Sequence, residues 1–147
     1  MELMRFTGGP ELMMEGKGRL TLPTRWREAL MAPEIGKLHA VKHVDGGLSL
    51  YPPAIWQGVE EVLLNLPSDQ DNWRRFYLGS ACELEIDGAA RLLVPPELRD
   101  WAGLDKEAKL LGMGAHLELW DKALYAARET LTLKQSRPDA LRNMVIR

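Results

Sequence analysis

Four cations, Lys17, Arg19, Arg25 and Arg27, fall in a stretch from residue 17 to residue 27 that contains no acid. Lys17 and Arg19 alternate with Gly16 and Gly18. Glycines let the backbone turn tightly and approach an anion closely. An arginine in such a turn can hold a phosphate or grip guanine through two N–H groups, while a lysine supplies a point charge. The arginine recurs: Glu15-Gly-Lys-Gly-Arg19-Leu-Thr-Leu-Pro23-Thr-Arg-Trp-Arg27-Glu28 returns, 72 residues later, as Asp87-Gly-Ala-Ala-Arg91-Leu-Leu-Val-Pro95-Pro-Glu-Leu-Arg99-Asp100. Acid, glycine, arginine, apolar strand, proline, arginine and acid keep their order. A duplicated arginine fits a repeated ligand, and DNA is such a ligand. The copies differ where Lys17, Gly18 and Arg25 are matched by Ala89, Ala90 and Glu97.

The remaining chemistry-bearing residues do not form a catalytic set. His39 and His43 sit in a strand–turn pattern, where a spacing of four does not converge on a metal as it would on a helix, and His116 is remote. No acidic or cysteine ligand set accompanies them, so no metal or cofactor is expected. Cys82 falls on the apolar face of its strand and reads as core. There is no glycine-rich phosphate loop opening a helix with Lys-Ser or Lys-Thr. The Trp and Tyr residues fall on expected core faces, which disfavours stacking on single-stranded nucleic acid. Glu15 and Asp87 read as groups that fix their turns or bridge to a neighbouring protomer. Arg27 and Arg99, each four residues after a proline, read as structural ion-pair partners, fixing the turns or bridging to a neighbouring protomer, in preference to base readers. Arg25 reads either as an extra phosphate contact or as plain surface.

The elements that must position these residues are also duplicated. Cys82, Leu84 and Ile86 alternate with Glu83 and Glu85, as in a half-buried strand. Asp87-Gly88 and Glu15-Gly16-Lys17-Gly18 mark tight turns. Pro23 and Pro95 close the following strands and suit helix starts. The short helices after them are expected to bury Trp26 and Leu30 in one copy and Leu98 and Trp101 in the other, with Gly103 as a C-cap. Gly36-Lys37-Leu38 matches Ala108-Lys109-Leu110 at the same offset, and Leu48-Ser-Leu-Tyr51 matches Leu117-Glu-Leu-Trp120 at an offset of 69, implying one loop three residues shorter. Each copy ends in an amphipathic segment: Ile55, Trp56, Val59, Val62, Leu63 and Leu66 in the first, Ala123, Leu124, Tyr125, Ala127 and Leu131 in the second. Between them, Trp73, Phe76 and Tyr77 suggest a short helix. The chain of 147 residues is 46% hydrophobic and 27% charged, ordinary composition for a folded domain. One copy, about 45 residues long, is too small to bury a core of its own, so the two are expected to interleave into one closed barrel without exposed edges. The net charge of −2 argues against a nucleic-acid partner only if the charge is evenly spread, and here the cations are clustered. No run reaches the roughly 20 apolar residues of a membrane span. Met1 to Glu15 lacks the apolar run of a signal peptide and there is one cysteine, so a reducing, cytoplasmic setting is expected.

These residues resemble the MraZ family of bacterial transcriptional regulators, which carry two SpoVT-AbrB-type swapped-hairpin units. The resemblance rests on Phe6-Thr-Gly8, on Glu15 to Arg27, on Leu78-Gly79 followed by Asp87 to Arg91, and on Leu117-Glu-Leu-Trp-Asp121, and spans roughly residues 5–130. Two departures stand out: Glu15 replaces the usual Asp, and Ala90 the usual Gly. The resemblance implies a mainly β fold with short helices (α+β), a pseudo-symmetric double-split barrel flanked by amphipathic helices. Its repeats are expected at 9–54 and 81–124, with a helical linker at 55–80 and a C-terminal helix and tail at 125–147. It implies a homo-oligomeric, octamer-like ring that binds short direct repeats of double-stranded DNA upstream of the division and cell-wall gene cluster, represses that cluster, and is nucleoid-associated. Carried over residue by residue, the DNA contacts are Lys17, Arg19 and Arg91. The other reading is an antitoxin-like protein-interaction module on the same barrel, with no DNA role of its own.

Overall fold

The computed structural model describes residues 5–32, 36–142 and 144. Residues 1–4 of the N-terminal stretch, and part of the 125–147 tail, lie outside the described residues. The first copy runs β1 (Glu11–Met13), β2 (Arg19–Thr21), α1 (Thr24–Leu30), β3 (Lys37–Lys42), β4 (Leu48–Tyr51) and α2 (Pro53–Leu64). A 3-10 turn (Ser68–Gln70) and α3 (Asp71–Leu78) lead to the second copy, β5 (Cys82–Glu85), β6 (Arg91–Leu93), α4 (Pro96–Ala102), β7 (Glu107–Gly112), β8 (Leu117–Asp121) and α5 (Lys122–Leu133). A single helical turn, α6 (Asp139–Arg142), follows. The local signals act where the residues place them. Gly103 ends α4 in the left-handed conformation with φ 62°, and the Asp121 carboxylate caps α5 by accepting the Leu124 N–H at 3.0 Å.

The strands pair across the copies. The larger sheet has the order β1-β7-β8-β4-β3-β5, and a separate two-stranded ribbon joins β2 to β6; every pairing is antiparallel. Exchanging each strand for its counterpart in the other copy reads the same order backwards, with the pseudo-dyad between Ser49 and Glu118, which face each other at the centre of the β4–β8 pair. Thus β1 pairs with the second copy's β7, and β5 with the first copy's β3. The ring of strands is completed by single bridges, Glu15 to Arg19 and Ile86 to Leu92, and these are the two splits of the barrel. Its interior is a single apolar cluster drawn from both copies, including Leu20, Leu38, Leu50, Leu92, Leu110 and Leu119.

Three expectations need correction. The third strands are offset by 70, not 72, because His39 and Lys109 occupy equivalent places opposite Tyr51 and Trp120. The missing residues come from two loops: the α4–β7 connection is two residues shorter than its counterpart, and the β7–β8 turn one shorter. A slip of two keeps the inward–outward alternation, so pattern matching could not detect it. In α4 the buried pair is Leu98 and Ala102, equivalent to Trp26 and Leu30, while Trp101 is 38% exposed. Trp101 lies edge-on to Phe76 and donates its indole N–H to the Gly47 carbonyl at 3.2 Å. Nor are the aromatics all core, since Trp73 is half exposed. On the amphipathic α5, Leu124 and Leu131 are half exposed and Leu133 is nearly bare.

Leu20 and Leu92 face each other across the ribbon, each 1% exposed. Truncating either to Ala is expected to cost about 2–5 kcal/mol in urea unfolding. The double variant should lose less than the sum, because the two side chains border one cavity.

Candidate nucleic-acid interface

The two glycine-marked turns sit at opposite ends of the β2–β6 ribbon. In the first, the Glu15 N–H donates to the Arg19 carbonyl at 2.8 Å, and the Gly18 and Arg19 N–H groups return to the Glu15 carbonyl at 3.2 Å. Lys17 and Gly18 both take left-handed backbone, φ 65° and 87°. In the second, the Asp87 N–H donates to the Arg91 carbonyl and the Ala90 N–H to the Asp87 carbonyl, both at 3.0 Å. Ala90 is left-handed as well, φ 61°, a conformation that costs an L-residue with a Cβ about 1–2 kcal/mol.

The left-handed residue has a purpose in both turns. The Gly18 carbonyl accepts the Val94 N–H and the Ala90 carbonyl accepts the Leu22 N–H, each at 2.8 Å. Each turn is therefore pinned by the strand of the other copy. The carbonyls of those same two residues are held from α1 and α4: Arg27 Nε donates to Leu22 O at 2.8 Å and Arg99 Nε to Val94 O at 3.0 Å. Among the described residues neither arginine has a carboxylate partner within the chain, and each clamps a backbone carbonyl instead. A Cβ on Gly18 would lie 2.6 Å from both Val94 O and Arg99 Nε, which explains a glycine there.

The turn acids behave differently. The Asp87 carboxylate accepts the Ala89 and Arg91 N–H groups, each at 2.9 Å, and Arg91 Nε at 3.1 Å. These bonds, led by the Arg91 N–H, hold its pKa below the ordinary carboxylate value. Glu15, one methylene longer, accepts no side-chain hydrogen bond among the described residues, and its turn is closed by backbone alone.

Register decides which side chains share a face. Arg19 lies opposite Leu93, Leu20 opposite Leu92, and Thr21 opposite Arg91. With Leu20 and Leu92 inside, Arg19, Thr21, Arg91 and Leu93 form the outer face. The two arginines are diagonal neighbours, roughly 7–8 Å apart by sheet geometry. Lys17 and Arg19 are exposed, and among the described residues neither lies within ion-pair distance of an acid; Arg91 is tied to Asp87. Arg25 is on α1, its guanidinium 4.7 Å from the Trp26 ring centre and against Gly8, where a Cβ would meet it at 2.3 Å. It is therefore not part of the ribbon face. Thr21 and Leu93 were not singled out by spacing; the alternation in Arg-Leu-Thr and Arg-Leu-Leu carries the signal, but only the pairing register brings them beside the arginines.

The other candidates stay apart from this face. Cys82 is partly buried against the barrel core, and burial pushes its thiol pKa up. His39 stacks on Trp56 at 5.5 Å, His116 on Tyr51 at 4.8 Å, and burial lowers the pKa of both. Among the described residues no three His, Cys, Asp or Glu side chains form a metal-binding group, and no helix is long and apolar enough to cross a membrane.

The chain matches the family model described as "MraZ protein, putative antitoxin-like" twice, over residues 6–78 and 77–145. It is similar to proteins named "Transcriptional regulator MraZ" from Cupriavidus pinatubonensis (strain JMP 134), Burkholderia ambifaria (strain MC40-6) and Burkholderia multivorans (strain ATCC 17616). Each is 46% identical over 138 residues, covering 94% of this chain and 97% of the relative.

The Asp87 clamp sets a pH signature. Its folded pKa lies below the ordinary value of 3.8, so its contribution is complete above that pH and is lost as pH falls through the folded value. The stability difference between the wild type and Asp87→Ala, from urea melts, is expected to be constant from about pH 5 to pH 7 and to shrink below about pH 4.

Proposed function

Because the chain belongs to the MraZ family, we propose that it is a transcriptional regulator that binds double-stranded DNA in a sequence-specific way through the β2–β6 ribbon. The observation that carries this reading is the joint presentation of Arg19 and Arg91 on the ribbon's outer face, with Lys17 at its exposed end. A two-stranded ribbon fits the B-DNA major groove, about 12 Å wide. There Arg19 is the guanine reader, Lys17 a phosphate contact, and Arg91 the auxiliary contact, oriented by Asp87. Arg25 contributes at most an outlying phosphate contact. Glu15, Asp87, Arg27 and Arg99 keep the turns in shape.

One ribbon carries few cations, so affinity comes from linking several on successive direct repeats, which raises effective concentration without any new kind of contact. A ring of protomers provides this linkage, and the exposed Leu124, Leu131 and Leu133 on α5 and Trp73 on α3 support self-association. The repeat units are assigned to 9–54 and 81–124, joined by 55–80 and followed by 125–147. The biological reading is repression of the division and cell-wall cluster from its own promoter, at the nucleoid, without catalysis or cofactor.

Arg19→Ala is expected to weaken binding to repeat DNA roughly 10- to 100-fold, the worth of one bidentate base contact, while the thermal melt stays that of the wild type. Lys17→Ala should weaken binding to all sequences alike and flatten the log–log salt slope by about 0.9 for each phosphate that is no longer neutralised. Gel shifts across a salt series measure both, and unchanged affinity in Arg19→Ala overturns the reading. Moving one repeat by about five base pairs, half a helical turn, should weaken binding; indifference to spacing would remove the ring from the proposal. An interaction module without DNA affinity would instead pass a heparin column unretained at low salt.

A further inference from the structure

The ribbon's outer face carries an apolar side chain where a solvated strand would carry a polar one. Leu93 is 52% exposed and lies directly opposite Arg19. Its neighbours Leu92 and Val94 are 1% and 0% exposed, so strand alternation turns Leu93 outward. At the related position on the other strand stands Thr21, opposite Arg91. One arginine thus has an aliphatic neighbour and the other a hydroxyl.

Resting on the DNA reading above, we infer that Leu93 is a specificity-determining residue that packs on the C5 methyl of a thymine beside the base pair gripped by Arg19. Thymine's methyl is the apolar group that a base pair offers in the major groove. Paired residues on a ribbon lie about 5 Å apart, close to the roughly 3.4 Å between successive bases of a strand. With Arg19 on one base edge, Leu93 therefore reaches the adjacent step. Leu93 carries no charge, so it adds discrimination without adding salt dependence. The same substitution pattern gives the ribbon a direction. Lys17, Arg19 and Leu93 gather at one end, and Thr21, Arg91 and the Asp87 turn at the other. A protomer turned end for end offers the groove a different order of groups, so the site read by one ribbon is non-palindromic despite the pseudo-dyad of the fold.

The test uses the full chain and the duplex it selects most strongly from a random-sequence pool. Each thymine of that duplex is replaced singly by deoxyuridine, which removes only the methyl, and binding is followed by fluorescence anisotropy for the wild type, Leu93→Ala and Arg19→Ala. One replacement, beside the guanine whose substitution costs the wild type most, is expected to weaken wild-type binding about fourfold, the worth of one buried methyl. The same replacement should leave Leu93→Ala unaffected, with equal salt slopes for both proteins. Identical uracil profiles for the wild type and Leu93→Ala, or a selected duplex with no thymine at that step, overturn the assignment. Arg19→Ala separates the two levels. If it binds the unmodified duplex as the wild type does, the DNA reading itself falls; if it binds weakly while the uracil profiles coincide, only the role of Leu93 falls.

Discussion

Two hydrogen bonds of 2.8 Å, Val94 N–H to Gly18 O and Leu22 N–H to Ala90 O, cross between the copies and hold the ribbon's two ends. Each requires a turn carbonyl to point at the opposite strand, and that requires left-handed backbone at residues 18 and 90. Gly18 adopts it at no steric cost, whereas Ala90, like Lys17 in the first turn, adopts it under strain. The strain at Ala90 is offset by a turn with more restraints than its counterpart, since the Asp87 carboxylate adds three hydrogen bonds that Glu15 does not make. The prolines follow from the same constraint. Leu22 and Val94 are the last residues whose N–H is needed by the ribbon, so Pro23 and Pro95, which have none to give, come directly after them. Arg27 and Arg99 then occupy the carbonyls of Leu22 and Val94, which would otherwise be left at the mouth of a helix.

This arrangement makes the halves mutually dependent. The carbonyl at the end of each turn is bound by the strand of the other copy, and β1 and β5 each find their main partner across the pseudo-dyad. A single copy would expose Leu20 or Leu92 and leave a strand edge bare, which is costly for a unit that small. Exchange of hairpins solves both problems and puts the two turns at opposite ends of one ribbon. The ribbon's outer face is a consequence of that exchange, because no one copy contains it.

Electrostatics divides the face unequally. The chain is mildly acidic overall, with ion pairs such as Lys37–Glu83 at 2.9 Å neutralising charge on the body. On the ribbon, Arg91 shares its charge with Asp87 at 3.1 Å, while Lys17 and Arg19 face solvent beside a carboxylate that is not engaged with them. An anion approaching the first turn would meet cations with no carboxylate partner among the described residues, whereas one approaching the second would compete with an existing pair.

The sequence by itself determined the duplication, the turns, the strands after them, the barrel class and the short list of cations. The turns and strands depend on local chemistry, namely glycine's access to positive φ, proline's missing N–H and the period-two alternation of Cys82, Leu84 and Ile86, while the barrel class follows from the small size of one copy and from the family resemblance. Only the tertiary structure decided what these elements face. The offset of the third strand, 70 rather than 72, was invisible because a slip of two preserves the apolar pattern. Trp101 read as core because helical spacing does not say which neighbour is present; Phe76 and the Gly47 carbonyl, distant in sequence, make its half-exposed place tenable. Arg27 and Arg99 were legible as structural but not as carbonyl clamps, since their partners are backbone atoms with no residue signature. Thr21 and Leu93 joined Arg19 and Arg91 only through the pairing of β2 with β6. A strand's own residues fix which side chains share a face, but the partner's register fixes who stands beside them.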